Sequence, residues 1–370
     1  MTPAREPNLE ALIRADRDNG AAYDVYSDWL QSHGNLVGDL IAVQRALDAA
    51  DSAELRLREA ELVAALDAPR DSGVAQGDVE PTWRWGLWDT LRIRSIVGGT
   101  SRDAEIDTEA AARFAFAHTA CVALRELQID IADWRYRTLD PPLLLELAAE
   151  QAWAGALRVL GLGVPFKSPW RDSVAGMSIG DTCGQIRATF PRLTELSLCG
   201  DFSLDELAFD ELATLVIATT ELTPANVAEL YAAQLPALTD LELWIGWSRD
   251  ATITLADLAP LLAGQVFPRL AKLGVCNADF ADDLAHIIHH APIAAQLTRL
   301  DLSKGTLTQA GAIALAGNAA CFPRLRTLDV SASYLDDNTV AALRRSFGHV
   351  DVIAGDQRTS QYGSVWVKYD

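Results

Sequence analysis

The amino-acid sequence predicts an α/β solenoid of stacked strand–turn–helix units, preceded by a small α-helical N-terminal domain. Three observations predict it. Segments such as LTRLDLSKGTLTQAGAIALAG from Leu297, LRTLDVSASYLDDNTVAALRR from Leu325 and LAKLGVCNADFADDLAHIIHH from Leu270 place apolar residues at their first, fourth, sixth and eleventh positions, then turn helix-like. A Phe-Pro-Arg-Leu or Leu-Pro-Ala-Leu lead-in recurs at Phe190, Leu235, Phe267 and Phe322, just before the strand. The chain from Leu9 to Leu30 shows helical spacing instead.

In the N-terminal part, Leu9, Leu12 and Ile13 and then Tyr23, Tyr26, Trp29 and Leu30 mark two helices. Asp18 or Asn19 can cap the second, and the Gly34-Asn35 turn ends it. A third, highly charged helix is expected from about Leu36 to Leu66, followed by the linker Asp67 to Asp78. Trp83, Trp85 and Trp88 come next and are expected to form a hydrophobic lid between the helical domain and the first strand. The domain division is therefore 1–80 and 81–370.

The less regular early repeats begin at Trp88, Leu124 and Leu157. The clear ones begin at Leu193, Leu212, Leu238, Leu270, Leu297 and Leu325, at separations of 19, 26, 32, 27 and 28 residues. The strand is kept while the helical side varies. Proline in the lead-in stops the preceding helix, because it lacks a donor and disfavours helix in the residue before it. VDVIAGDQ from Val350 is expected to give one last strand, and SVWVKYD from Ser364 a cover beside it. One repeat buries about six aliphatic side chains at roughly 1.5 to 3 kcal/mol each. Backbone ordering costs about 1 to 2 kcal/mol per residue, so a repeat alone cannot fold and neighbours must share one core.

From about Trp83 onward these repeats resemble the leucine-rich repeat family, in particular the longer ribonuclease-inhibitor type. The resemblance implies a horseshoe with a parallel β-sheet inside and helices outside, and a protein-binding role as inhibitor, adaptor or sensor. The family usually carries Asn or Cys at the ninth position; here Asp201, Thr220, Gly246, Ala278, Gly305 and Ser333 stand there, which implies an irregular ladder of loop hydrogen bonds. The segment from Leu9 to Leu47 resembles a bacterial repeat-companion module through Arg14, Ala15, Asp16, Tyr26, Asp28, Trp29, Leu30, Gly34, Gly38, Asp39, Ile41 and Gln44. Arg17 stands where that module commonly has proline.

Composition narrows the function classes. Lys plus Arg number 31 against 51 Asp plus Glu, a formal charge of −20. Between Asp201 and Pro260 eleven acids face one base, Arg249. Nucleic acid, bound through cationic contacts to phosphate, is not an expected partner, whereas a basic protein would be steered in. The start of the chain has neither a basic segment nor an apolar run, and no stretch reaches the length of a membrane span. Cys121, Cys183, Cys199, Cys276 and Cys321 are odd in number and without a C-x-x-C pair, which fits reduced thiols in a cytoplasm.

With the first, fourth and sixth residues turned into the core, the third, fifth and seventh line the inner, concave face. Two sub-patches result. One is acidic with an exposed indole: Glu195, Asp240, Glu242 and Trp244, with Trp247 following. The other is mixed: Lys272, Arg299, Asp301 and Asp329. An aromatic anchor rimmed by carboxylates suits a protein-binding hot spot for a basic partner.

Catalytic and metal signatures are weak. Gly176 to Gly180 matches G-x-S-x-G around Ser178, but that nucleophile elbow needs a strand before it and a helix after. His286, His289 and His290 with Asp282 and Asp283 have helical spacing that could gather a metal, yet fall on an outer helix. Cys199 and Cys276 have no neighbouring histidine. No cofactor, metal or catalytic residue is assigned, and oligomeric state stays open. The alternative is an enzyme or enzyme subunit with its site in the N-terminal module or the tryptophan-rich junction, where Asp28 or Trp85 would matter.

Overall fold

The computed structural model describes residues 5–66, 74, 78–94, 108–130, 141–163, 178–180, 182–219, 222–246 and 253–358. These fall into two compact units. Unit one is Met1–Gly163 with Gln185–Leu193, and unit two is Val164–Gly184 with Thr194–Asp370.

Unit one begins with α1 (Pro7–Ala15), α2 (Gly20–Ser32), α3 (Leu36–Ala49) and α4 (Ala53–Leu66). Asn19 caps α2 by accepting from the Ala22 N–H, and Asn35 caps α3 by accepting from Val37. Gly34 supplies the left-handed turn between them, with φ 66°. The single long third helix expected from the sequence is two helices. Ala50 leaves helical geometry at φ −156°, and Ser52 accepts from the backbone N–H groups of Leu55 and Arg56 to start α4. The break lets α4 fold back on α3, so that Leu62 and Leu66 are buried and Gln44 Nε2 reaches Glu59 Oε1 at 2.8 Å.

A hairpin follows, β1 (Val79–Arg84) antiparallel to β2 (Leu87–Ile93). The sequence reading placed a strand only at the second arm. Trp85 (φ 46°) and Gly86 (φ 71°) form the two-residue turn, with the two positive φ angles a type I′ turn requires. Next come α5 (Thr108–Ala117), β3 (Glu126–Ile129), α6 (Pro141–Ala149) and β4 (Val159–Leu162). From β2 to β4 the strands pair in parallel, with Leu91 opposite Leu127 and Leu127 opposite Leu160. The helix α7 (Cys183–Thr189) starts in unit two and ends in unit one.

In unit two, β5 (Ser178–Gly180) pairs only with β7 (Asp201–Phe202) among the described residues. The main ladder is β6 (Glu195–Cys199), β8 (Thr214–Ala218), β9 (Asp240–Trp244), β10 (Lys272–Cys276), β11 (Arg299–Asp301), β12 (Thr327–Asp329) and β13 (Asp351–Ile353). All its pairings are parallel and in register. The fourth-position row Leu196, Leu215, Leu241, Leu273, Leu300 and Leu328 is buried throughout, as the repeat spacing predicts. The helices between strands are α8 (Pro224–Ala232), α9 (Ala259–Leu262), α10 (Ala281–Ile287), α11 (Gln309–Gly317) and α12 (Asp337–Ser346). The expected last strand at Val350 is β13; the expected cover from Ser364 lies outside the described residues.

Lead-in prolines do more than stop a helix. In Phe267-Pro268-Arg269-Leu270 the Leu270 N–H donates to the Phe267 carbonyl at 3.0 Å, and Leu238 to Leu235 and Leu325 to Phe322 repeat the bond. Proline at the second position of such a turn has its φ preset. Phe190, Phe267 and Phe322 are buried.

The loop ladder is regular, which corrects the expectation from the ninth position. Four eighth-position N–H groups donate to the seventh-position carbonyl of the next repeat: Gly200 to Ala218, Ile245 to Cys276, Asn277 to Ser303 and Lys304 to Ser331, at 2.8 to 3.0 Å. Backbone thereby replaces the side-chain ladder. Gly200, Asn277, Lys304 and Ala332 reach this geometry with φ of 143°, 55°, 63° and 51°.

Candidate functional site

The odd positions of the unit-two strands form rows across the sheet, because the register is exact to the residue over its length. One row runs Glu195, Thr214, Asp240, Lys272, Arg299, Thr327 and Asp351; the next runs Ser197, Val216, Glu242, Gly274, Asp301, Asp329 and Ile353. Most of these side chains are exposed or half-buried, unlike the leucine row between them.

Within and between the rows, opposite charges meet. Lys272 Nζ lies 2.9 Å from Asp240 Oδ2 on the neighbouring strand, and Arg299 Nη2 lies 2.8 Å from Asp301 Oδ2. Trp244 Nε1 donates to Glu242 Oε1 at 2.7 Å. Gly274 makes room for that carboxylate's stem, since a Cβ there would stand 2.9 Å from Glu242 Cγ. Asp301 and Asp329 each accept from the backbone N–H two residues on, Ser303 and Ser331, at 3.0 Å. Burial, then the neighbouring Asp301 charge, pushes the Asp329 carboxyl above its ordinary value.

The exposed indole expected at Trp244 is corrected by the structure. Trp244 is 4 % exposed and packs with Cys199, Ala218 and Cys276, the seventh-position row, with Val216 against them. Lys304 places its ammonium 4.5 Å from the ring centroid. Alternation placed Trp244 on the right face; neighbours on that same face cover it. Trp247 lies outside the described residues. Glu195, Asp240, Glu242, Lys272, Arg299 and Asp329 are exposed or half-buried on these rows, whereas Asp301 is buried at 5 % exposure, against the expectation of an accessible carboxylate, because Arg299 and the Ser303 N–H cover it.

The other sequence candidates also find places. Ser178 lies inside β5, not at a strand-to-helix turn, so the nucleophile elbow is not formed there. Asp282 accepts from the Thr308 and Gly311 N–H groups at 2.8 and 3.2 Å, which commits its carboxylate to the start of α11. Among the described residues no cluster of three metal-ligating side chains occurs. Burial, then Asp301 and Glu242, pushes the Cys276 thiol well above its ordinary value, so it is protonated at neutral pH.

At the tryptophan-rich junction, Trp88 is buried and stacks on His118 at 4.4 Å, and Trp83 meets Trp88 edge-on. Trp85 packs edge-on against Tyr23 and is flanked by the Arg45 and Arg84 guanidinium groups at 4.5 and 4.9 Å. Its indole N–H donates to Asp48. The hairpin tip is fixed to the helices: Gly86 N–H donates to Gln44 Oε1 at 2.6 Å, and Arg17 pairs with Asp89 of β2. Arg17 thus ties the hairpin to the helices, a structural role that the sequence reading missed. Asp28 is exposed.

Fold and surface together describe an α/β protein built on long, mostly parallel strand ladders. No family model matches the chain. No curated protein matches it either. Among solved structures, a Bacteroides fragilis protein aligns with a TM-score of 0.58 at 22 % identity, over 71 % of this chain and 75 % of that one. That likeness is one of fold. An internalin of Listeria monocytogenes aligns over 75 % of this chain and 84 % of its own at 14 % identity, with a TM-score of 0.28, too slight to argue from.

Proposed function

We propose that this protein is a non-enzymatic recognition module of the leucine-rich repeat type, curved as a horseshoe, whose open sheet face in unit two holds a basic protein partner. It acts as an adaptor, sensor or inhibitor. The observation that carries the reading is the lattice of charges on that face: Glu195, Asp240, Glu242, Asp301 and Asp329 with Lys272 and Arg299, spaced by strand register. Charges at fixed spacing set orientation and partner choice more than raw affinity. Excess acid on the rows and the formal −20 of the chain favour a cationic partner and disfavour nucleic acid.

Residues 1–80 are proposed as a repeat-companion domain, with 81–370 as the repeat domain. The bonds from Gln44 and Arg17 to the β1–β2 hairpin support a role for the helices as a cover of the first strand pair. The described residues contain no helix long and apolar enough to cross a membrane. The odd number of cysteines and the lack of a C-x-x-C pair in the sequence support a cytoplasmic location. Charge reversal at Glu195 and Asp240 is the test. Loss of an isolated partner at low salt, with unchanged thermal stability, is expected; undiminished binding would end the reading.

A further inference from the structure

Unit one carries a cavity of about 470 Å³ lined by Gln44, Leu47 and Asp48 of α3, Arg56 and Glu59 of α4, and Trp83, Arg84 and Trp85 of the hairpin. This is the size range of small-molecule sites. Its lining belongs to unit one, whereas the charged sheet rows belong to unit two, and it has no part in the partner-binding reading. From its chemistry we infer that it binds a neutral saccharide of mono- to disaccharide size.

Charge comes first. Arg56 and Arg84 match Asp48 and Glu59 in number among the lining residues, and both guanidinium groups are already paired, with Asp51 and Asp18, so the cavity offers no free cation to an anionic ligand. Gln44 is fully engaged, Nε2 on Glu59 and Oε1 on the Gly86 N–H, but three other polar groups keep an atom for a ligand. Glu59 uses Oε1 on Gln44, and Asp48 uses Oδ2 on the Trp85 indole, leaving the second oxygen of each as an acceptor. Arg56 pairs with Asp51 through Nε and Nη2, leaving Nη1 as a donor. A ligand matching this set carries many hydroxyls, which both donate and accept, and no net charge.

The aromatic wall adds the second requirement. Trp83 is half-buried in β1, and the C–H face of a pyranose, weakly positive, packs on the negative face of an indole. Trp85 provides an independent observation. A type I′ turn normally places Asn or Asp before its glycine, yet this chain puts a bulky indole there at φ 46°. Strain of this kind persists where surrounding contacts over-determine it, and here it holds Trp85 against the cavity with Asp48 and Tyr23.

The test is titration of the full chain with maltose, cellobiose, lactose and N,N′-diacetylchitobiose, followed by calorimetry and ligand-observed NMR. At least one is expected to bind with a Kd of about 1 mM or tighter. Leu47→Trp, which fills the cavity from the helix side, and Trp83→Ala are each expected to weaken binding at least about tenfold, while charge reversal at Glu195 and Asp240 leaves it unchanged. Circular dichroism checks that both variants fold, and Leu47→Trp decides alone if Trp83→Ala does not. No binding by any of the four sugars, or binding undiminished in folded Leu47→Trp, overturns the inference. So does binding of a zwitterionic dipeptide or a nucleotide at this cavity with all sugars inert.

Discussion

Asp282 of α10 accepts hydrogen bonds from the backbone N–H groups of Thr308 and Gly311, so the carboxylate of one repeat starts the helix of the next. Gly311 permits the approach, because any side chain there would run into Asp282 Oδ1. Thr308 caps the same helix through Ala310, so α11 has two capping side chains from two repeats. Asp282→Ala is expected to lower stability by about 1 to 2 kcal/mol, as loss of a helix cap does, measured by urea unfolding. An unchanged midpoint would mean that Thr308 alone suffices.

Gly86→Ala should cost more. Its φ of 71° is unfavourable to any side chain, and a Cβ would stand 2.5 Å from the Ile41 amide nitrogen. The two causes together are expected to remove about 2 kcal/mol or more. Hydrogen exchange should localise the loss to the β1–β2 tip and to α3.

Ala332→Gly should act in the opposite direction. Ala332 sits at φ 51° in the loop ladder, and its N–H donates to Gly355 at 2.8 Å. Relief of left-handed strain is worth about 1 to 2 kcal/mol, and the greater freedom of glycine in the unfolded chain costs about 0.5 to 1 kcal/mol. A net gain of about 0.5 to 1 kcal/mol is expected in thermal unfolding. A loss would show that the methyl group packs usefully.

Asp329 makes stability depend on pH. Its carboxyl is raised in the folded state by burial and by Asp301, so the folded protein holds that proton more tightly than the unfolded chain. Its contribution is therefore fullest below the unfolded value of 3.8 and is lost as pH rises through the folded one. Asp329→Asn keeps the bond to the Ser331 N–H and removes the charge. The variant should be more stable than the parent at pH 7, with the advantage fading as pH falls toward 4. An advantage constant across that range would assign the effect to something other than ionisation.

The repeat frame was legible because each strand advertises three buried aliphatic positions, and Leu196, Leu241 and Leu300 occupy them as read. The loop ladder was not, because it is made by backbone at Asn277, Lys304 and Ala332, and of these only the asparagine is a residue type that favours positive φ. Trp244 illustrates a second limit. Alternation assigns a face, but whether the face is wet depends on what Cys199, Cys276 and Lys304 do around it. Likewise β1 was missed because Pro81 and the Trp85-Gly86 turn do not look like a hairpin. At the start of α4 the signal was present in Asp51-Ser52, a cap sequence inside an apparently continuous charged helix.

The central claim is that the open rows of unit two form the recognition surface. A photoreactive amino acid placed at Glu195, which is exposed on β6, and separately at Ile313, which is 61 % exposed on α11, tests it inside the native cell. The account predicts one dominant protein adduct from position 195, suppressed when Asp240 is reversed in charge, and none from position 313. An adduct from position 313 with none from position 195 would contradict it.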